Sequence, residues 1–144
     1  MMQIVRMTRR HLRDVARLED LCFSEPWSEH ALEFLMSDAA LGYVCEQDGR
    51  AVAYVGMMFA YDEGQITNVA VHPSVRRRGV GRKLMEAIAD AARERNLVQI
   101  ALEVRASNDA AIKLYEQDGF VIAGRRPNFY RNPIEDAFVM LKTL

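Results

Sequence analysis

Two periodicities alternate along this chain of 144 residues, and the switches between them mark out its elements. Ile66 to Val71 is a short apolar run rich in β-branched residues, which suits a buried strand. Pro73 ends it, because proline gives no N–H to a ladder and biases the preceding residue toward extended geometry. Beyond Gly81 the apolar positions Leu84, Ile88 and Ala91 or Ala92 recur at helical spacing, while Arg82, Glu86, Asp90 and Glu94 face elsewhere. That pattern predicts about four turns of helix, ending near Arg95. Val98, Ile100, Leu102 and Val104 then alternate with Gln99, Ala101 and Glu103 as a second strand. A strand–helix–strand unit of this kind should be parallel and right-handed.

The remaining segments read in the same way. Gln3 to Met7 predicts a first strand. Thr8 can cap a helix whose apolar stripe is Leu12, Val15, Ala16, Leu18 or Glu19, and Cys22. Pro26 breaks it, and Ser28 can cap a second helix carrying Ala31, Leu32, Leu35 and Met36. Leu41 to Glu46, an Asp48-Gly49 turn, and Ala51 to Ala60 predict a hairpin, followed by a turn near Glu63-Gly64. Ser107 or Asn108 should cap a helix ending at Asp118-Gly119. Phe120 to Gly124 and Asp136 to Leu141 should close the sheet as an antiparallel pair. With no repeat, linker or low-complexity tract, residues 1–144 are expected to form one domain. Its class is α/β, a mixed sheet with helices on both faces.

Composition narrows the function. Half of the residues are hydrophobic, enough for a core without metals or disulfides. A net charge of −1 argues against direct nucleic-acid binding, which favours strongly basic domains. Cys22 and Cys45 lie in apolar-periodic segments, as free thiols would. His11, His30 and His72 are scattered, so no metal is expected. Met-Met-Gln-Ile-Val-Arg lacks the marks of a signal peptide, and no apolar run reaches the roughly 18 residues of a membrane span. A soluble, cytoplasmic protein without a membrane partner is the expectation.

The order of strand, basic loop and helix is a device for holding phosphate. Arg76, Arg77 and Arg78 precede Gly79-Val80-Gly81, with Arg82 following. The first turn of a helix carries unpaired N–H groups and the positive end of the dipole. Glycines there let an anion approach, and arginines grip phosphate bidentately. A P-loop is excluded, because Gly-x-x-x-x-Gly-Lys-Ser/Thr does not occur. Gly79-x-Gly81 with Glu103 about 20 residues on also begins a dinucleotide fingerprint, but the third small position falls on Leu84 and the loop is long.

Arg-x-x-Gly-x-Gly between a strand and a helix resembles the acetyl-coenzyme A signature of the GNAT superfamily of N-acetyltransferases. The likeness continues through Leu102 to Asn108, Leu114-Tyr115-Glu116 with Gly119-Phe120, and Arg125-Arg126 through Glu135-Asp136-Ala137. Together with Phe23 to Ser28, these segments are similar to the bacterial ribosomal-protein-alanine N-acetyltransferases, the RimI type. The resemblance implies the GNAT fold, a mostly antiparallel sheet with a parallel pair at the coenzyme site. It also implies acetyl-CoA as cosubstrate, bound by Arg76 to Arg82, by Asn108, and by the backbone of Val69, Ala70 and Val71. The acceptor it implies is the N-terminal alanine of a small-subunit ribosomal protein. Another protein N-terminus, a lysine or a small amine is the alternative, and a coenzyme-binding module without turnover is a further one.

By the same resemblance Glu103 falls where the family carries its general base, and Tyr115 where a tyrosine protonates the departing sulfur. The chemistry restricts both. Moving a proton from an α-ammonium of pKa about 7.8 to an ordinary glutamate is uphill by roughly 5 kcal/mol. Glu103 therefore needs a raised pKa or works through an ordered water on a minority state. A phenol near pKa 10 can protonate a basic thiolate at little cost. Trp27, and Tyr130 in the loop before the last strand, are candidate walls for the acceptor. Glu25, Glu135 and Asp136 could attract its ammonium or a basic tail.

Overall fold

The computed structural model describes all 144 residues. In chain order the elements are β1 (Met2–Arg6), α1 (Leu12–Cys22), α2 (Glu29–Leu32), β2 (Ala40–Gln47), β3 (Arg50–Ala60) and β4 (Glu63–Val71). They continue with α3 (Val80–Glu94), β5 (Gln99–Arg105), α4 (Asp109–Gln117), β6 (Val121–Tyr130) and β7 (Glu135–Thr143). Short 3-10 turns cover Arg9–His11, Glu33–Met36 and Pro73–Val75. The seven strands form one sheet in the order β1-β2-β3-β4-β5-β7-β6, in which only β4 and β5 run parallel.

Local chemistry explains most boundaries. Asp48 (φ 52°) and Gly49 (φ 79°) make the tight β2–β3 turn, with Gln47 opposite Arg50. Ser28 Oγ accepts from Ala31 N–H at 3.0 Å, and Asn108 Oδ1 accepts from Ala111 N–H at 3.2 Å, so both caps are real. Gly119 leaves α4 at φ 98°, a conformation that suits glycine.

The sheet separates two apolar layers. On one face Leu84, Met85 and Ile88 of α3, with Tyr115 of α4, pack on Leu41, Val55, Ile100, Leu102 and Met140. On the other, Leu12, Val15 and Leu18 of α1 and Leu32 of α2 pack on Val44, Tyr54 and Ala70. Burying a large apolar side chain is worth about 1.5–3 kcal/mol, so the α3 stripe anchors the N-terminal end of that helix firmly.

Four sequence expectations shift. Glu63 and Gly64 belong to β4, and the turn falls at Tyr61 (φ 56°) and Asp62. Val98 lies just outside β5 with half its surface exposed, because alternation continues one residue past the end of pairing. The second helix ends at Leu32 and continues as a 3-10 turn. The strand expected to stop at Gly124 runs on to Tyr130, which therefore ends β6 instead of lying in a loop.

Two irregularities then open the sheet. Gly56 pairs with Asn68 but Met57 with Ile66, so Thr67 is an extra residue on β4. A bulge reverses which residues face which side. Ile66, Val69 and Val71 consequently all pack on the α3 face, while Asn68 and Ala70 turn toward α1. Strands β4 and β5 pair only from Glu63 to Gln65 with Gln99 to Ala101. Beyond that they part. Val69 to Val71 keep β3 on one side and have no strand on the other, and Glu103 likewise keeps only β7. The cleft lies at the C-terminal ends of a parallel pair, where α/β sheets bind ligands.

Candidate active site

The loop at the mouth of the cleft combines exposed arginines with the open first turn of a helix. Arg77, Arg78 and Gly79 are exposed, and Gly79 caps α3 at φ 76° without a side-chain bond to its first turn. The first backbone bond of the helix runs from Lys83 to Gly79, which leaves the preceding N–H groups pointing outward. A Cβ on Gly79 would meet nothing within 4 Å, so the residue is glycine for its backbone angle. Gly81 has a second reason: a Cβ there would come within 3.2 Å of Leu114 Cδ2, so its absence lets α3 approach α4. Arg77 adopts φ 64°, uncommon for a residue with a side chain.

The arginines are not equivalent. Arg76 turns back on the end of β4, donating from Nε to Val71 O at 2.9 Å and from Nη2 to Cys22 Sγ at 3.5 Å. Arg82 stands 3.6 Å from Glu86 on the helix surface. Arg77 and Arg78 therefore offer the loop's uncommitted charge. Open N–H groups, a glycine at positive φ and the one-sided backbone of Val69 to Val71 fit a diphosphate with a slender amide-bearing arm. Val80 is buried and contributes only its backbone.

Inside the cleft, Glu103 Oε2 accepts from Gln65 Nε2 at 2.8 Å, and Arg126 Nε lies 3.8 Å from Oε1. Tyr115 is buried against Phe120, ring centroids 5.9 Å apart. Burial first, then the nearby Tyr130, pushes its phenol well above the ordinary value. Tyr130 is itself pushed up to about 12, by burial and then by the charges of Glu103 and Glu135, with Arg105 opposing. Both phenols hold their protons throughout the neutral range.

The acidic residues expected to draw in an ammonium are occupied by the protein itself. Glu135 accepts from Ser107 N–H at 2.7 Å and pairs with Arg105 at 3.3 Å, which holds its carboxyl below the usual range. Asp136 accepts from Asn128 N–H and Arg125, with the same result. Glu25 accepts from Arg131 N–H at 3.0 Å. Trp27 is half-buried, tilted against Phe34 at 5.1 Å, and belongs to the α1 side of the sheet.

Gln65 has no signal of its own in the sequence, while Arg105 and Glu19 are visible there without their partners. Gln65 lies in the strand but before its apolar run. Arg105 donates to Pro133 O and Arg131 O, stacks on Tyr130 at 4.5 Å and so fixes the β6–β7 connection. Glu19 is wholly buried beneath the cleft, and its place in an apolar helical stripe was the signal. No group of three or more His, Cys, Asp or Glu side chains stands together as a metal site would.

This fold, opening between its one parallel strand pair beside a basic glycine loop, is that of an acyl-coenzyme A-dependent transferase. The profile of the acetyltransferase (GNAT) family matches residues 12–120, and the chain belongs to that family. It is an N-acetyltransferase that takes its acetyl group from acetyl-CoA. Among its relatives is the ribosomal protein bS18-alanine N-acetyltransferase of Escherichia coli, 37% identical over 125 residues covering 85% of this chain and 84% of the relative. The N-alpha-acetyltransferase RimI of Mycobacterium tuberculosis is 32% identical over 144 aligned positions, covering 93% and 87% respectively. The crystal structure of the ribosomal-protein-S18-alanine N-acetyltransferase from Escherichia coli superposes with a TM-score of 0.92 and 34% identity, covering 99% of this chain and 94% of that one. The dinucleotide alternative is excluded by the family and by a sheet with a single parallel pair.

Proposed function

We propose that the chain acetylates the α-amine of a protein beginning with alanine, a ribosomal protein as in its relatives. The observation that carries this reading is the parting of β4 and β5 with Glu103 inside it, bonded to Gln65. Acetyl-CoA supplies an activated acyl group as a thioester. The N–H groups at Val80 and Gly81, with Arg77 and Arg78, hold its phosphates, and the open edge of Val69 to Val71 takes its amide-bearing arm. Asn108 caps α4 at the same end of the cleft and adds a further contact there.

Glu103 removes the ammonium proton through a water. About a tenth of peptide α-amines are already neutral at pH 7, against well under a thousandth of lysines, which favours an N-terminus as acceptor. Tyr115 donates the proton that the sulfur needs. Its raised pKa revises the simple expectation of an ordinary phenol near 10. Transfer to a thiolate in the same pocket exchanges one buried anion for another. The burial cost therefore largely cancels and the donor stays loaded until then. Direct transfer is proposed, because Cys45 is buried in the core and the Cys22 thiol is engaged by Val71 O and Arg76. Trp27 and Tyr130 wall the acceptor, while Glu135 shapes the wall through Arg105. Mass spectrometry on peptides beginning with Ala, Ser or Met tests the reading. An alanine peptide left unmodified at its α-amine contradicts it.

A further inference from the structure

Glu19 is the most deeply buried charged residue of the molecule, with no surface exposed. Its oxygens accept from three elements. Trp27 N–H reaches Oε1 at 2.9 Å and the hydroxyl of Tyr54 reaches Oε2 at 2.6 Å. Asn68 Nδ2 reaches Oε2 at 2.9 Å and Oε1 at 3.2 Å. Each oxygen thus accepts two bonds, the full capacity of a carboxylate.

Stability alone gives no reason for a carboxylate here. Buried charges replaced by well-packed apolar groups often leave stability unchanged or raised. The positions of the donors supply a reason. Trp27 lies in the segment between α1 and α2 that walls the acceptor. Asn68 lies directly after the bulged Thr67 and directly before Val69, where β4 becomes open toward β5.

We infer that Glu19 is a positioning residue for the acceptor, clamping the Trp27 segment to the β4 bulge so that wall and acetyl-presenting edge keep a fixed separation. The inference rests on the proposed function and assigns a residue to the geometry of its acceptor half. Tyr54, from the middle of β3, completes the carboxylate's shell but joins neither side.

Trp27 is the only tryptophan, so its fluorescence reports the clamp directly. Glu19→Gln turns two acceptor sites into donors that face other donors. It should leave acetyl-CoA affinity within about twofold, raise KM for an alanine peptide about tenfold or more, and increase iodide quenching of Trp27. Unchanged peptide KM and unchanged quenching in the folded variant overturn the inference. If Glu19→Gln does not melt cooperatively, single-donor variants decide. Asn68→Ala should raise peptide KM about threefold or more while Tyr54→Phe leaves it within twofold, and equal effects overturn the clamp. If the unaltered protein acetylates no α-amine, the proposed function fails while the quenching comparison still decides what Glu19 holds.

Discussion

Gln65, the last β4 residue paired with β5, donates from Nε2 to Glu103 Oε2 at 2.8 Å, two residues beyond its own partner Ala101. The bond fixes one carboxylate oxygen and leaves the other toward the cleft, where only Arg126 approaches, at 3.8 Å. Glu103→Gln should lower kcat by about 10²-fold or more with acetyl-CoA affinity kept, since general-base catalysis contributes that much. Gln65→Leu should cost less, about tenfold, because it frees the carboxylate without removing it. Steady-state kinetics with calorimetry separates the two, and a Glu103→Gln variant with full turnover removes the base from the scheme.

Tyr115→Phe should likewise reduce kcat by about 10²-fold while leaving KM for both substrates within a few-fold. Losing one hydroxyl from a buried ring should change melting little. A large drop in Tm with kcat retained would mark Tyr115 as core alone.

Gly79→Ala places a side chain at φ 76° without a clash. The cost is backbone strain of about 1 kcal/mol, hence roughly 2–4 °C in Tm. The larger effect should be on the coenzyme, because relief of the strain would rotate the open N–H groups away. Acetyl-CoA affinity measured by calorimetry should weaken about tenfold, and an unchanged Kd would dissociate the glycine from phosphate binding.

Acid sensitivity has identifiable sources. Hydrogen bonding from His11, then Arg10, holds the Glu46 carboxyl below its ordinary value against the opposing effect of burial. Burial pushes Asp14 up, but the Ala51 N–H, Arg50 and Arg17 together bring it lower still. A depressed carboxyl stabilises the fold above its unfolded pKa and loses that contribution as pH falls through its folded pKa. Glu46→Gln should therefore lower Tm at pH 7, with the gap to the unaltered protein closing below about pH 4. A gap independent of pH would contradict the linkage.

The basic glycine loop and the strands around it were legible because their signals are local: a β-branched run, Pro73, two glycines and a helical stripe. The caps at Ser28 and Asn108 were legible for the same reason. The opening of the sheet was not. A bulge at Thr67 has no compositional mark, and it depends on how β3 and β4 match their faces over the whole strand. Gln65, Arg105 and Arg126 join the site only because β5 lies beside β4 and near the end of β6, a pairing between residues far apart in sequence. Glu135 and Asp136 looked free for an ammonium because the residues that occupy them, Ser107 and Arg125, belong to other turns and strands. Glu19 was visible as a charge in an apolar stripe, although its partners were not.

The acceptor assignment is the claim on which the rest turns. The direct measurement is mass spectrometry, with fragmentation, of an alanine-starting peptide that also carries an internal lysine, incubated with the protein and acetyl-CoA beside a polyamine control. The expected result is one acetyl group, on the α-amine, formed more slowly by about 10²-fold or more with Glu103→Gln. Acetylation of the lysine or the polyamine with a bare α-amine would contradict it.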